Sequence, residues 1–177
     1  MGEKVNQTYI TLVQGDITQQ RVSAIANAAN SRLAGGGGVD GAIHRAGGPA
    51  IMAECDRIRQ EQGGCPTGQA VITTGGDLYA GSVIHTVGPV WEGGMSGEPE
   101  LLASCYRQSL KLAAENEIKT IAFPSISTGV YGYPIEKAAI VAIETATLFL
   151  KENAGFKEVR FVLFNGDDLK QYQRLIS

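Results

Sequence analysis

Asn27-Ala28-Ala29-Asn30, then after four residues Gly35-Gly36-Gly37-Gly38-Val39-Asp40-Gly41-Ala42-Ile43-His44, is the stretch on which the reading of this chain turns. The run Ser23 to Asn27 reads as a short strand with a polar stop, and Val39 to Ala46 reads as a helix opening directly from the glycines. Glycine lets backbone N–H groups approach a ligand closely. A helix start adds unpaired N–H groups and the positive end of the helix dipole, so the arrangement favours a bound anion such as phosphate. Taken alone, the glycine run also fits a flexible connector.

A second amide-rich turn, Ser127-Thr128-Gly129-Val130-Tyr131-Gly132, lies between a short strand, Thr120 to Phe123, and a helix predicted over 134–153. Two such turns can grip both halves of a diphosphate, because loops of this kind gather at the carboxyl ends of strands in an α/β sheet. Further out, strands are expected at Tyr9–Val13, Ala70–Thr73, Val83–Val87 and Val159–Phe164. Helices are expected at Pro49–Gln62, at Glu98–Asn116 and over a last segment through Ile176 capped by Asp167 or Asp168. Strands alternating with helices in the second half imply a sheet covered on both faces. The spacing shows neither repeat nor linker, so residues 1–177 are read as one domain.

Asp40 stands one residue past the glycines, where a carboxylate would repel a phosphate. It either complements the dipole of the following helix or orients and deprotonates a water. Asn30 can fix a sugar or that water through its amide, or serve only as a turn residue. Asp16, after the first strand, can cap a turn or accept an exocyclic amine, and Tyr131 can be a core ring or flank a sugar. His44 and His85 read as structural histidines.

Gly36-x-Gly38-x-x-Gly41 also matches the dinucleotide fingerprint, which raises a nicotinamide-dependent oxidoreductase as a rival. Its context is wrong: the preceding strand ends several residues too early, and the chain opens with two strands rather than a βαβ unit. No phosphate-binding GxxxxGK[ST] occurs.

Composition narrows the rest. Fifteen Lys plus Arg against 18 Asp plus Glu leave a net charge of −3, so no general basic field recruits nucleic acid. Apolar runs are short and the N-terminus lacks the apolar core of a signal peptide, so a cytoplasmic location with no membrane partner is expected. The three cysteines, Cys55, Cys65 and Cys105, fit reduced packing residues, and two histidines without a ligand motif argue against zinc. No metal or cofactor is expected.

Six ordered stretches resemble the macrodomain family, specifically its MacroD-type ADP-ribosyl hydrolases, across essentially the whole chain. They are Gln14 to Thr18, Asn27 to Asn30, Gly35 to His44, Cys65 to Gly68, His85 to Pro89 and Ser125 to Pro134. The resemblance implies a three-layer α/β/α fold with a mixed sheet of about six strands and a cleft for ADP-ribose. It implies that Asp16, with Ile17 beside it, meets the adenine amine. The amides of Gly37, Gly38 and Val39 would form one phosphate wall and Ser127, Thr128, Gly129, Val130 and Tyr131 the other. Asn30 and Asp40 would flank the distal ribose, with Asp40 as proton acceptor.

Family members that only read ADP-ribose commonly lack that Asn and Asp pair. The resemblance therefore implies deacetylation of O-acetyl-ADP-ribose and/or removal of mono-ADP-ribose from acidic protein side chains, with a non-catalytic reader as the alternative. Ala26 and Gly47-Gly48 depart from the family pattern and are expected to loosen packing near the cleft.

Overall fold

The computed structural model describes residues 1–176. Seven strands form one sheet: β1 (Gly2–Val5), β2 (Thr8–Gln14), β3 (Ala24–Ala28), β4 (Ala70–Thr74), β5 (Ser82–Thr86), β6 (Thr120–Phe123) and β7 (Glu158–Leu163). The order is β1-β2-β7-β6-β3-β5-β4. The five inner strands run parallel, while β1 and β4 are antiparallel to their neighbours at the two edges. Five helices cover the sheet: α1 (Gly38–Gly47), α2 (Pro49–Gln62), α3 (Glu98–Glu115), α4 (Ile135–Glu152) and α5 (Gly166–Gln173).

One strand more is present than the six expected. The added one is β1, whose Gly2-Glu3-Lys4-Val5 carries charge at a sheet edge and so gives almost no apolar alternation to read. The last helix starts from Asn165, whose side chain accepts the Asp168 N–H at 2.8 Å. Asp167 and Asp168 thus lie in its first turn instead of capping it, where their charge suits the helix dipole.

Alternation along the inner strands sorts side chains onto two cores. Ile25, Val83, Val87 and Val162 face α1 and α2 and pack with Ile43, Ile51 and Cys55. Ala24, Ala26, Ile84, Phe123 and Phe161 face the other helices and pack with Leu102, Tyr106, Ala142 and Tyr172. Ala26 is fully buried among these larger neighbours. The expected looseness at Gly47 is not found: a Cβ there would run into Ile51 Cδ1 and lie 3.3 Å from the Gly75 carbonyl. Glycine at 47 therefore permits close packing of α1 on α2.

Because all five inner strands point the same way, the segments following them emerge at one end of the sheet. Those segments are Gly15-Asp16 after β2, 29–37 after β3, 87–97 after β5, 124–134 after β6 and Phe164-Asn165 after β7. Ligand clefts in parallel α/β sheets form at this end.

Phe161 sits at the middle of the second core, its ring 5.8 Å from Phe123 and 5.5 Å from Tyr172. Phe161→Ala is expected to lower unfolding stability by about 3–5 kcal/mol through lost burial and the cavity left behind, read from urea unfolding.

Candidate active site

The glycine run enters α1 through an extended Gly37 and a left-handed Gly38 (φ +56°), a conformation that side chains resist. Among the described residues, chain neighbours and the adjoining α1 backbone aside, nothing lies within 4 Å of a Cβ added at Gly37 or Gly38. The N–H groups of the first turn of α1, like those of any helix start, lack intrahelical acceptors and are free for a ligand. Gly36, Gly37 and Gly38 are exposed, Val39 is half-buried and Asp40 is buried at 7% exposure.

Asn30 and Asp40 converge beside Gly36. A Cβ built there would lie 3.6 Å from Asp40 Oδ2 and 4.0 Å from Asn30 Nδ2. The Asn30 amide also shapes the loop, donating to the Gly35 carbonyl at 2.8 Å and accepting from the Ala34 N–H at 3.1 Å. One Nδ2 hydrogen remains for a ligand.

The two Asp40 oxygens have different surroundings. Oδ1 accepts from Asn27 Nδ2 at 2.7 Å and lies 3.3 Å from His44 Nε2, one turn along α1. Oδ2 is the oxygen on the Gly36 side. Asn27 had no role assigned from sequence; as a polar residue in a run that reads as a strand end, it gave no signal that its side chain lies under the helix.

The second turn is shaped mainly from within. Tyr133 N–H donates to the Ser127 carbonyl and Gly132 N–H to the Gly129 carbonyl, both at 3.0 Å, while Thr128 Oγ1 donates to the Ser125 carbonyl at 3.0 Å. From beneath, Tyr106 Oη accepts the Ile126 N–H and Tyr172 Oη donates to Ser125 Oγ. Burial pushes the Tyr172 phenol up to about 12 and Tyr106 well above its ordinary range, so both stay neutral donors. Ser127 is buried in a left-handed backbone (φ +68°) and its Oγ has no partner among the described residues, whereas Gly129 and Val130 are exposed and Tyr131 is half-buried.

The loop after β5 buttresses this turn: Trp91 N–H donates to the Tyr131 carbonyl at 2.8 Å, and the Trp91 ring packs on Tyr133. Glu98, at the start of α3, holds that loop by accepting the N–H groups of Glu92 and Gly94 at 2.8 Å and Ser96 at 2.6 Å. Burial works to raise the Glu98 carboxyl, but these backbone donors outweigh it and hold it below the ordinary value of 4.5.

After the carboxyl end of β2, Asp16 is exposed and accepts from Thr18 N and Thr18 Oγ1, both through Oδ1, which leaves Oδ2 for an incoming donor. Ile17 is turned into the core at 4% exposure. Phe164, which sequence reading treated only as a strand end, is 81% exposed beside this corner, since the Gly15 N–H donates to the Leu163 carbonyl. No group of metal-ligating side chains occurs among the described residues.

A mixed sheet between helical layers, with two amide-rich turns at the carboxyl end of its parallel strands, defines the macrodomain class. Residues 26–142 match the family described as Macro domain, and this chain belongs to that family. A macro domain-containing protein of Caldanaerobacter subterraneus subsp. tengcongensis is 59% identical over 165 residues, covering 93% of this chain and 94% of its own length. An O-acetyl-ADP-ribose deacetylase of Escherichia coli K12 is 53% identical over 171 residues, covering 97% of both chains. Among solved structures, an Oceanobacillus iheyensis macrodomain mutant with ADP-ribose superimposes with a TM-score of 0.94 at 45% identity, covering 98% of this chain and 95% of that one.

Glu98→Gln replaces a carboxylate acceptor with an amide that cannot satisfy the same N–H groups. Because the folded carboxyl titrates below its ordinary value, its stabilisation is present above about 4.5 and disappears as pH falls through the lowered folded value. Urea midpoints are expected to be lower for Glu98→Gln at neutral pH, with the gap to wild type closing in acid.

Proposed function

We propose that residues 1–177 act as one macrodomain that binds ADP-ribosyl compounds and hydrolyses an ester on the distal ribose, with O-acetyl-ADP-ribose as the substrate. Mono-ADP-ribose esterified to an acidic protein side chain belongs to the same substrate class. The observation that carries this reading is the convergence of Asp40 Oδ2 and Asn30 Nδ2 on one point beside the unpaired amides of α1. The relatedness to an O-acetyl-ADP-ribose deacetylase over nearly the whole chain supports it.

In this reading the diphosphate lies between the first turn of α1 and the turn 127–131, held by backbone N–H groups of Gly37, Gly38 and Val39 on one side and of Ser127 to Tyr131 on the other. Backbone donors and a helix dipole neutralise the phosphates without a basic side chain. Asp16 Oδ2 accepts the adenine amine, and the exposed Phe164 ring packs on the base. Both features orient the ligand so that its distal ribose meets Asn30 and Asp40, with Tyr131 at its side.

Asn30 then holds the ribose or the water, and Asp40 Oδ2 takes a proton as the water oxygen attacks the acyl carbon. The bond from that carbon to the ribose oxygen breaks, the ribose oxygen recovers the proton, and acetate and ADP-ribose leave. General-base help of this kind is worth about 10² to 10⁴ in rate.

Asp40→Asn keeps the shape of the side chain and removes its basicity. Acetate release from O-acetyl-ADP-ribose is expected to fall by about 10² or more, while calorimetry still registers ADP-ribose binding. Binding by wild type with no release of acetate would instead make the protein a reader of ADP-ribose.

A further inference from the structure

Behind Asp40 lies a buried polar chain that the hydrolytic reading does not use. Asn27 on β3 and His85 on β5 are direct cross-strand partners on the face covered by α1 and α2. Thr73 on β4 is the diagonal neighbour of His85, since Val71 is the residue opposite His85. All three are buried, with Asn27 at 0%, His85 at 1% and Thr73 at 3% exposure.

Heavy-atom geometry leaves one consistent set of hydrogens. Thr73 Oγ1 donates to the Thr74 carbonyl at 3.0 Å, so at 2.9 Å it accepts from His85 Nε2. His85 then carries its hydrogen on Nε2, and its Nδ1 accepts from Asn27 Nδ2 at 3.1 Å. The second Nδ2 hydrogen goes to Asp40 Oδ1. Turning the Asn27 amide over would set its oxygen against two acceptors, His85 Nδ1 and Asp40 Oδ1.

The amide oxygen that this orientation leaves behind is buried with no partner among the described residues. An unmet buried acceptor is retained only where something else over-determines the geometry. Burial first, and His44 second, pull the His85 imidazole down to about 3, which keeps Nδ1 free of a proton. Cys55 Sγ, 3.9 Å from His85 Nε2, completes the surroundings, and burial pushes its thiol up to about 11.

We propose that Asn27 and His85 are positioning residues for Asp40: His85, locked as the Nε2–H tautomer by Thr73, fixes the Asn27 amide so that it holds Asp40 Oδ1 and leaves Oδ2 facing the cleft. The inference rests on the hydrolase reading. It differs from a packing role because the effect depends on an acceptor at one atom of residue 85, not on the volume there.

Leucine and asparagine are near-isosteres, and of the two only asparagine offers Asn27 an acceptor close to the position of Nδ1. For His85→Leu, kcat on O-acetyl-ADP-ribose is expected to fall about 10- to 100-fold, with KM and the calorimetric Kd for ADP-ribose unchanged. His85→Asn is expected to recover most of that loss. Equal kcat for the two folded variants would overturn the proposal. Absence of wild-type turnover would remove the hydrolase reading and this inference with it.

Should either variant fail to fold, side-chain nitrogen NMR of the wild type decides the matter independently of activity. A His85 Nδ1 resonance of the unprotonated type at neutral pH is the expected result, and protonated Nδ1 would overturn the proposal.

Discussion

Asp40 is a carboxylate with 7% exposure in the first turn of a helix that is also built to attract anions. Placing such a group under cover demands donors, because an unmet buried charge is far more costly than an exposed one. The donor is Asn27, reached across from β3, and the helix start supplies a favourable field for the negative charge. The chain meets this requirement by laying α1 on β3, with the loop 29–37 long enough to return the chain from the strand end to the helix.

That placement follows from the sheet. Five parallel strands deliver five loops to one end, and the alternation that sends Ile25 and Val83 into the core under α1 and α2 sends Asn27 and His85 there as well. The opposite face is filled by apolar and aromatic side chains, and two of its tyrosines reach up to hold the turn 125–133 from below. The two amide-rich turns are therefore supported from both cores. Rigid support matters where recognition uses backbone N–H groups, since these cannot adjust by changing rotamer.

Polar contacts between loops complete the arrangement. Glu98 gathers three N–H groups of the segment after β5, and that segment in turn meets the Tyr131 carbonyl through Trp91. The turn 127–132 is thus tied to the start of α3 by an acidic side chain some thirty residues earlier in the chain, so the positions of the two loops are linked.

Local chemistry was enough to read much of this from the residues in order. Glycines before an apolar-periodic segment mark an amide-rich helix start, strand and helix periods differ, and a carboxylate beside a phosphate turn stands out wherever it folds. The six strands β2 to β7, the five helices, both turns and the Asn30 and Asp40 pair were legible for these reasons. The edge strand β1, the Asn165 cap, the close fit at Gly47, the exposed Phe164 corner and the grip of Glu98 were not. Nor was the line from Thr73 through His85 and Asn27 to Asp40, which joins residues on three strands and a helix. Those features depend on strand register and on which face of the sheet each helix covers, and such pairings between distant residues leave no period or motif in the chain that forms them.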